Sequence, residues 1–207
     1  MLRRQFLASI PGSLALPRST PRPNIVLILA DDLGWGDVGM NGCPDIATPH
    51  IDSIARQGVR FSNFYANAPE CTPTRCSLLT GRYQQRVGGL ECAIGVNNLG
   101  RYDEAEWLQK RGELGLPASQ PSLARFLRHS GYDTACIGKW HLGYSAKFGP
   151  RQHGFDRYFG ILGGNADYFT HREIGEGSGN SQLYDGTSPV QRRGYLTDLF
   201  TDEALSW

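Results

Sequence analysis

The sequence predicts an α/β domain in which a largely parallel sheet is covered by helices on both faces. Short apolar runs alternate with stretches whose apolar residues recur at helical spacing, opened by a cap residue or proline and closed by glycine. The 26 glycines among 207 residues add tight turns and argue against a helical bundle. At roughly 150 residues per domain, the length corresponds to one domain with a little left over. That is enough to bury a core without disulfide or metal staples.

Residues 25–30 (IVLILA) are unbroken apolar and β-rich, as in a strand buried on both faces. Thr48 and Pro49 open a helix whose Ile51, Ile54 and Ala55 share a face, and Gly58 stops it. Residues 59–65 alternate like a half-buried strand. Thr72 as cap and Pro73 as first helical residue open a second helix, ended by Gly81. Residues 121–130 carry Leu123, Phe126 and Leu127 at helical spacing and close on Gly131; residues 134–138 return to a strand. Residues 173–194, rich in Gly, Ser and Asn, read as a surface loop. Leu196, Leu199, Phe200 and Ala204 then begin an amphipathic helix. The chain stops inside that helix at Trp207 without a cap or polar tail, which predicts that a C-terminal part of the domain is missing.

Lys and Arg total 21 against 20 acidic residues, a net charge of +1 that excludes a nucleic-acid binder held by a broad basic face. No stretch approaches the roughly 20 apolar residues of a membrane span. The opening MLRRQFLAS has Arg3-Arg4 before Phe6-Leu7 and resembles a bacterial twin-arginine export leader. Residues 1–22 therefore read as a leader directing the protein to the periplasm, the cell envelope or outside the cell, or as a disordered basic tail. Five cysteines (Cys43, Cys71, Cys76, Cys92, Cys136) leave at least one thiol unpaired. A Cys71–Cys76 disulfide is excluded on a helix, where five residues rise about 7.5 Å. No C-x₂-C or H-x₃-H spacing offers a zinc site.

Three places can carry chemistry. Asp31 and Asp32 follow the first apolar run, and ligands of open α/β sheets bind at the carboxyl ends of strands. Two adjacent carboxylates suit a hard cation, Ca²⁺ ahead of Mg²⁺. Consecutive strand side chains diverge, so both can converge only if the backbone bends, a freedom expected from Gly34 and Gly36. Alone, the pair also fits an acidic loop. Cys71 stands just before the expected helix start, where backbone N–H groups attract anions and lower a thiol pKa. Arg75, one turn on, presents a fork that suits sulfate or phosphate. Cys71 alone also fits a structural thiol. Lys139 and His141, at i and i+2 after the strand at 134–138, share a face and can meet one anion. Singly they fit a solvated lysine and a hydrogen-bonded histidine.

The segment from Cys71 to Arg82 (CTPTRCSLLTGR) resembles the sulfatase signature, C-x-P-x-R followed by a T-G-R ending. Residues 24–34 (NIVLILADDLG), 48–52 (TPHID), 138–143 (GKWHLG) and 153–156 (HGFD) fall, in order, where that family has its blocks. The similarity covers the chain from Pro23 onward, so residues 23–207 read as the N-terminal part of a sulfatase catalytic domain. The resemblance implies an alkaline-phosphatase-like sandwich with a mostly parallel central sheet, truncated at the C-terminus. It also implies hydrolysis of sulfate monoesters of a small molecule or glycan, with Cys71 oxidised by a formylglycine-generating or sulfatase-maturating enzyme to Cα-formylglycine. One hydroxyl of the hydrated aldehyde would attack sulfur and displace the alcohol; deprotonation of the other would re-form the carbonyl and expel sulfate. By the family's pattern Asp31, Asp32 and the modified Cys71 hold Ca²⁺. Arg75 and Lys139 hold the hydrate and sulfate oxygens, and His141 takes the proton that triggers elimination.

The family's remaining cation ligands, second histidine and second lysine lie past residue 207; His171 is too near His141 to be that histidine. The 207 residues alone are therefore expected to hydrolyse no sulfate ester and to bind calcium weakly. His50 and residues 102–117 depart from the family's pattern. Two alternatives remain: a phosphate or phosphonate ester hydrolase of the same superfamily, and an inactive sulfatase-like binding protein in which Cys71 stays a thiol.

Overall fold

The computed structural model describes residues 22–95, 103–172, 174 and 182–207. Residues 1–21 of the expected leader or tail and Tyr102 lie outside them, as does most of the first half of the loop expected at 173–194. The chain divides into two compact units, Met1–Gly58 and Val59–Trp207.

In the first unit, the expected strand at 25–30 does not form. Those residues run without ladder bonds and their side chains are exposed, Val26 at 82 %. An apolar run becomes a strand only where a neighbour takes its N–H and C=O groups. Among the described residues none pairs with it. Two single-turn segments follow, Trp35–Asp37 and Gly39–Asn41, then helix α1 at Pro49–Gln57, which Gly58 ends as expected. Ile51 and Ile54 are exposed, so the apolar face of α1 is present but uncovered. Thr48 does not cap α1 with its side chain. Its hydroxyl accepts from Gly39 N at 2.8 Å and donates to the Asp52 carboxylate at 3.0 Å, and Asp52 also accepts from Met40 N at 2.9 Å. These bonds tie the turn at 39–41 to α1. Any side chain at position 39 would meet an Asp52 oxygen at 2.6 Å, which accounts for the glycine there.

The second unit holds helices α2 (Cys71–Thr80), α3 (Asp103–Lys110), α4 (Leu123–His129) and α5 (Leu196–Ser206). Its four strands are β1 (Ala135–Lys139), β2 (Arg157–Ile161), β3 (Leu183–Asp185) and β4 (Ser188–Pro189). The sheet order is β1-β2-β3-β4. The expected parallel pairing is found between β1 and β2, whereas β2–β3 and β3–β4 are antiparallel, so the sheet is mixed. The half-buried strand expected at 59–65 is absent: Val59, Phe61, Phe64 and Tyr65 are exposed around a turn. Alternation describes which way side chains would face in a sheet, and these residues have no sheet to join. Within the loop expected at 173–194, residues 183–189 instead form the β3–β4 hairpin. Its two-residue turn starts at Gly186, whose φ of +62° suits glycine.

Both faces of the sheet are covered. Tyr158 points to one side with Leu90, Leu116, Trp140, Leu142 and the α2 residue Cys76. Phe159 and Ile161 point to the other, against Leu183 and the α5 residues Leu196, Leu199 and Phe200. Each large apolar side chain buried in this way contributes about 2 kcal/mol. An Arg157 fork to Asp185 and Glu203 also clips α5 to the hairpin. The helix at 121–130 forms as α4, with Ser122 as a true cap accepting from Arg125 N at 3.0 Å. Leu123 and Phe126 are nevertheless exposed, and it is Ala124 that is buried.

The β1–β2 pair closes through two glycines, Gly138 opposite Gly160. A Cβ at position 160 would lie 1.8 Å from the Gly138 carbonyl oxygen, a clash with backbone that no side-chain motion relieves. Gly160→Ala is therefore expected to cost about 3 kcal/mol or more. The midpoint of urea unfolding measures this, and an unchanged midpoint would show that the strands can separate freely.

Candidate active site

Helix α2 starts at Cys71 with Glu70 before it, two residues earlier than the expected Thr72 cap and Pro73 start, because Thr72 spends its hydroxyl elsewhere. That hydroxyl is fully buried, donates to the His141 carbonyl at 3.0 Å and accepts from Ile94 N at 3.2 Å. Glu70 accepts from Ala93 N at 2.5 Å. Cys71 thus lies in the first turn of a helix anchored on both sides, and Gly81 at φ +67° ends that helix as expected.

Three of the expected residues come together around Cys71. The Lys139 ammonium donates to the Cys71 sulfur at 3.1 Å. Arg75, one turn along α2 on the same face, donates from Nη1 to the Lys139 carbonyl at 2.7 Å. One arm of its fork is therefore used to set the angle of the guanidinium relative to β1. His141 joins them through its backbone, tied to Thr72. It does not share the face of Lys139 through strand alternation, because the chain turns at His141 with φ +55°. Its N–H continues the parallel pairing by donating to the Leu162 carbonyl at 3.1 Å. The ring is 4 % exposed, with Nε2 against the Ile94 carbonyl at 2.5 Å. A carbonyl accepts only, so Nε2 carries the proton there and proton acceptance falls to Nδ1.

In the first unit Asp31 and Asp32 are both exposed. The expected bend is present, but Asp32 itself makes it with φ +54°; Gly34 stays at −72° and Gly36 is not among the positive-φ residues. Aspartate tolerates this left-handed conformation better than most residues.

All five cysteines are free thiols. Burial pushes the Cys76 thiol up to about 12, and the same cause raises Cys136 to about 12 against the lowering effect of Arg75. Both remain protonated and inert near neutral pH, whereas the part-exposed Cys71 accepts directly from the Lys139 ammonium. Two supports of the site escape a reading of the sequence. Thr72 reads there as a cap, and Gly164 belongs to no motif, although a Cβ at that position would meet the His141 ring at 2.7 Å.

Comparison with known proteins identifies the family. The family model Sulfatase matches residues 23–207. Arylsulfatase G of Mus musculus is 42 % identical over 156 residues, which is 75 % of this chain and 27 % of the relative. N-acetylgalactosamine-6-sulfatase of Mus musculus is 42 % identical over 155 residues, 75 % of this chain and 28 % of the relative. A crystal structure of Ps i-CgsB in complex with k-i-k-neocarrahexaose superposes with a TM-score of 0.73 at 33 % identity, covering 89 % of this chain and 40 % of that one. The chain thus spans little more than a quarter of the length of these curated relatives. It belongs to the sulfatase family, and its α/β fold is of the alkaline-phosphatase-like type.

Trp140, between Lys139 and His141, is locked from below. Its Nε1 donates to the Phe148 carbonyl at 2.9 Å and its ring lies 5.4 Å from that of His153. His153 is 0 % exposed, and burial, helped by the Arg125 charge, lowers its pKa from 6.5 to about 4. The folded state therefore binds fewer protons than the unfolded chain between these values. Its stability contribution is complete above about pH 6.5 and is lost as pH falls towards 4, at up to ~1.4 kcal/mol per pH unit. Urea midpoints measured from pH 7 to 4.5 should fall steeply for the wild type and less steeply for His153→Leu. Parallel curves would show that another group governs the acid limb.

Proposed function

We propose that the protein is a sulfuric ester hydrolase that cleaves sulfate monoesters at residue 71. The observation that carries this is the Lys139 ammonium on the Cys71 sulfur, with Arg75 of the C-x-P-x-R segment braced on the same lysine, in a chain of the sulfatase family. Two features support conversion of Cys71 to Cα-formylglycine: it is part-exposed in the first turn of α2, and its sulfur accepts from the Lys139 ammonium, whereas Cys76 on the same helix is buried with its thiol pushed up to about 12. The modified residue supplies a hydrated aldehyde as nucleophile with a second hydroxyl for release of sulfate. A formylglycine-generating or sulfatase-maturating enzyme is the partner this requires.

The residues of the chain divide the work. Lys139 and the guanidinium of Arg75 face negative charge as it builds on the sulfuryl oxygens. Both are held in place before the reaction, which is what makes such charges effective. The helix start adds its own backbone N–H groups. His141, kept in one tautomer by the Ile94 carbonyl, is the group that removes the proton for release. Asp31 and Asp32 are hard oxygen donors and fit Ca²⁺ better than Zn²⁺ or Cu²⁺. They would hold it, and the cation would supply positive charge to the sulfate group. The substrate class favoured is a sulfated glycan, as the names of the relatives suggest. The place of action is the periplasm, cell envelope or exterior. No helix among the described residues is long and apolar enough to cross a membrane.

Co-production with a formylglycine-generating enzyme should lower the mass of the peptide containing residue 71 by about 18 Da. Because the 207 residues alone are expected to be inactive, turnover is measured on the longer protein that carries this segment, which should cleave an aryl sulfate faster than the matching aryl phosphate. Faster phosphate turnover would make the protein a phosphoester hydrolase. An intact thiol with no turnover of either ester would make it a binding protein.

Chelation by EDTA should abolish sulfate release, and Ca²⁺ should restore it more fully than Mg²⁺. Asp31→Asn should weaken the calcium requirement's midpoint by about tenfold or more. Activity unaffected by chelation would remove the cation from the reading.

A further inference from the structure

His141 can take a proton only at the ring nitrogen that does not already carry one, so the surroundings of the imidazole decide where its base lies. Three walls define those surroundings. The backbone at Gly164 runs so close that a Cβ there would lie 2.7 Å from the ring. The Tyr144 ring stands edge-on at 84°, with centroids 6.5 Å apart. The Ile94 carbonyl lies 2.5 Å from Nε2.

That carbonyl is itself held in place. Its oxygen takes two donors, the His141 Nε2–H and the Tyr144 hydroxyl at 3.3 Å, one for each lone pair. The chain leading to it is fastened to the start of α2 by two successive N–H groups. Ile94 N donates to the Thr72 hydroxyl at 3.2 Å, and Ala93 N donates to the half-buried Glu70 carboxylate at 2.5 Å. The bond to Glu70 is charge-assisted, which makes it the stronger of the two. Glu70 and Thr72 thus fix the segment, and Tyr144 fixes the direction of the carbonyl at its end. A carbonyl turned away from the ring would let the imidazole proton settle on Nδ1, and the base would then point into the wall.

We infer that Glu70 and Tyr144 are positioning residues for His141. They hold the Ile94 carbonyl at the angle that keeps the imidazole proton on Nε2 and leaves Nδ1 to accept one. This rests on the sulfatase reading above, in which His141 removes the proton for sulfate release. Both residues act through one main-chain oxygen. Neither belongs to the C-x-P-x-R segment or to the GKWHLG block, so local pattern does not announce them.

The 207-residue chain, labelled with ¹⁵N-histidine, reports the tautomer through two-bond proton–nitrogen correlation. Spectra are taken at about pH 8.5, where an ordinary imidazole is neutral, and His141→Gln assigns the signal. The wild type should show a single tautomer with the proton on Nε2. Tyr144→Phe keeps the ring and loses the hydroxyl, and Glu70→Ala loses the acceptor for Ala93 N; each should give a mixture of tautomers. Glu70→Gln still offers an oxygen to Ala93 N and should match the wild type. In the longer protein that carries this segment, Tyr144→Phe and Glu70→Ala should each lower kcat for an aryl sulfate about fivefold, the scale of one lost hydrogen bond, with KM unchanged. A wild-type proton on Nδ1 overturns the proposal whether or not the variants fold. A single unchanged tautomer in folded Tyr144→Phe or Glu70→Ala overturns it too, even where kcat falls. Tautomers that mix as expected, beside a longer protein that releases no sulfate, sink the sulfatase reading and leave the positioning role standing.

Discussion

A hydroxyl with no access to water must donate and accept inside the protein or carry a cost of about 1–3 kcal/mol. Thr72 does both, and in doing so ties α2, the segment at Ile94 and the turn after β1 to a single atom. Everything chemical in the second unit is referred to that point. Cys71 precedes it in the chain, Arg75 lies one turn above it, and Lys139 and His141 flank the carbonyl and turn that it holds. Residues about 70 positions apart in sequence are thereby fixed to one another by backbone geometry rather than by long flexible side chains. Val at this position would keep the shape and leave two buried backbone groups without their partner.

The glycine pair in the sheet plays a complementary part. Gly138 opposite Gly160 lets β1 and β2 approach closely, and that approach sets where β1 delivers Lys139. The faces of β2 then divide the interior cleanly. Tyr158 belongs to the layer beneath α2, Phe159 and Ile161 to the layer beneath α5. The site is therefore built where one well-buried layer ends, and it inherits its rigidity.

The candidate site was more legible in the sequence than the fold around it. Cys71, Arg75, Lys139 and His141 could be named because their spacing follows local rules: a helix start, one helical turn, the end of a strand. α4, β1 and α5 were legible for the same reason, each carrying its own cap, glycine stop or periodicity. Residues 25–30 and 59–65 were not, because a strand depends on partners that local pattern does not report. The hairpin at 183–189 had a signal, Asp185-Gly186 between apolar residues, that the surrounding Gly and Ser content obscured. Thr72 reads as a cap because Thr before Pro is a good one on local grounds, and only the tertiary partners at 94 and 141 override it. The exposed faces of α1 and α4 make the same point: periodicity identifies an apolar face but not what lies opposite.

Three residues other than glycine adopt positive φ among those described: Asp32, His141 and His171. Each costs on the order of 1 kcal/mol in conformational strain; His171 clamps two segments, and Asp32 and His141 carry the carboxylate and the proton acceptor of the proposed reaction. Glycine would relax the backbone at any of them and delete the group for which the strain is tolerated. Engineering this chain for heat resistance therefore meets a limit at these positions. The substitutions that release most tension are those that empty the protein of its chemistry, and gains must be sought at exposed α1 and α4 positions instead.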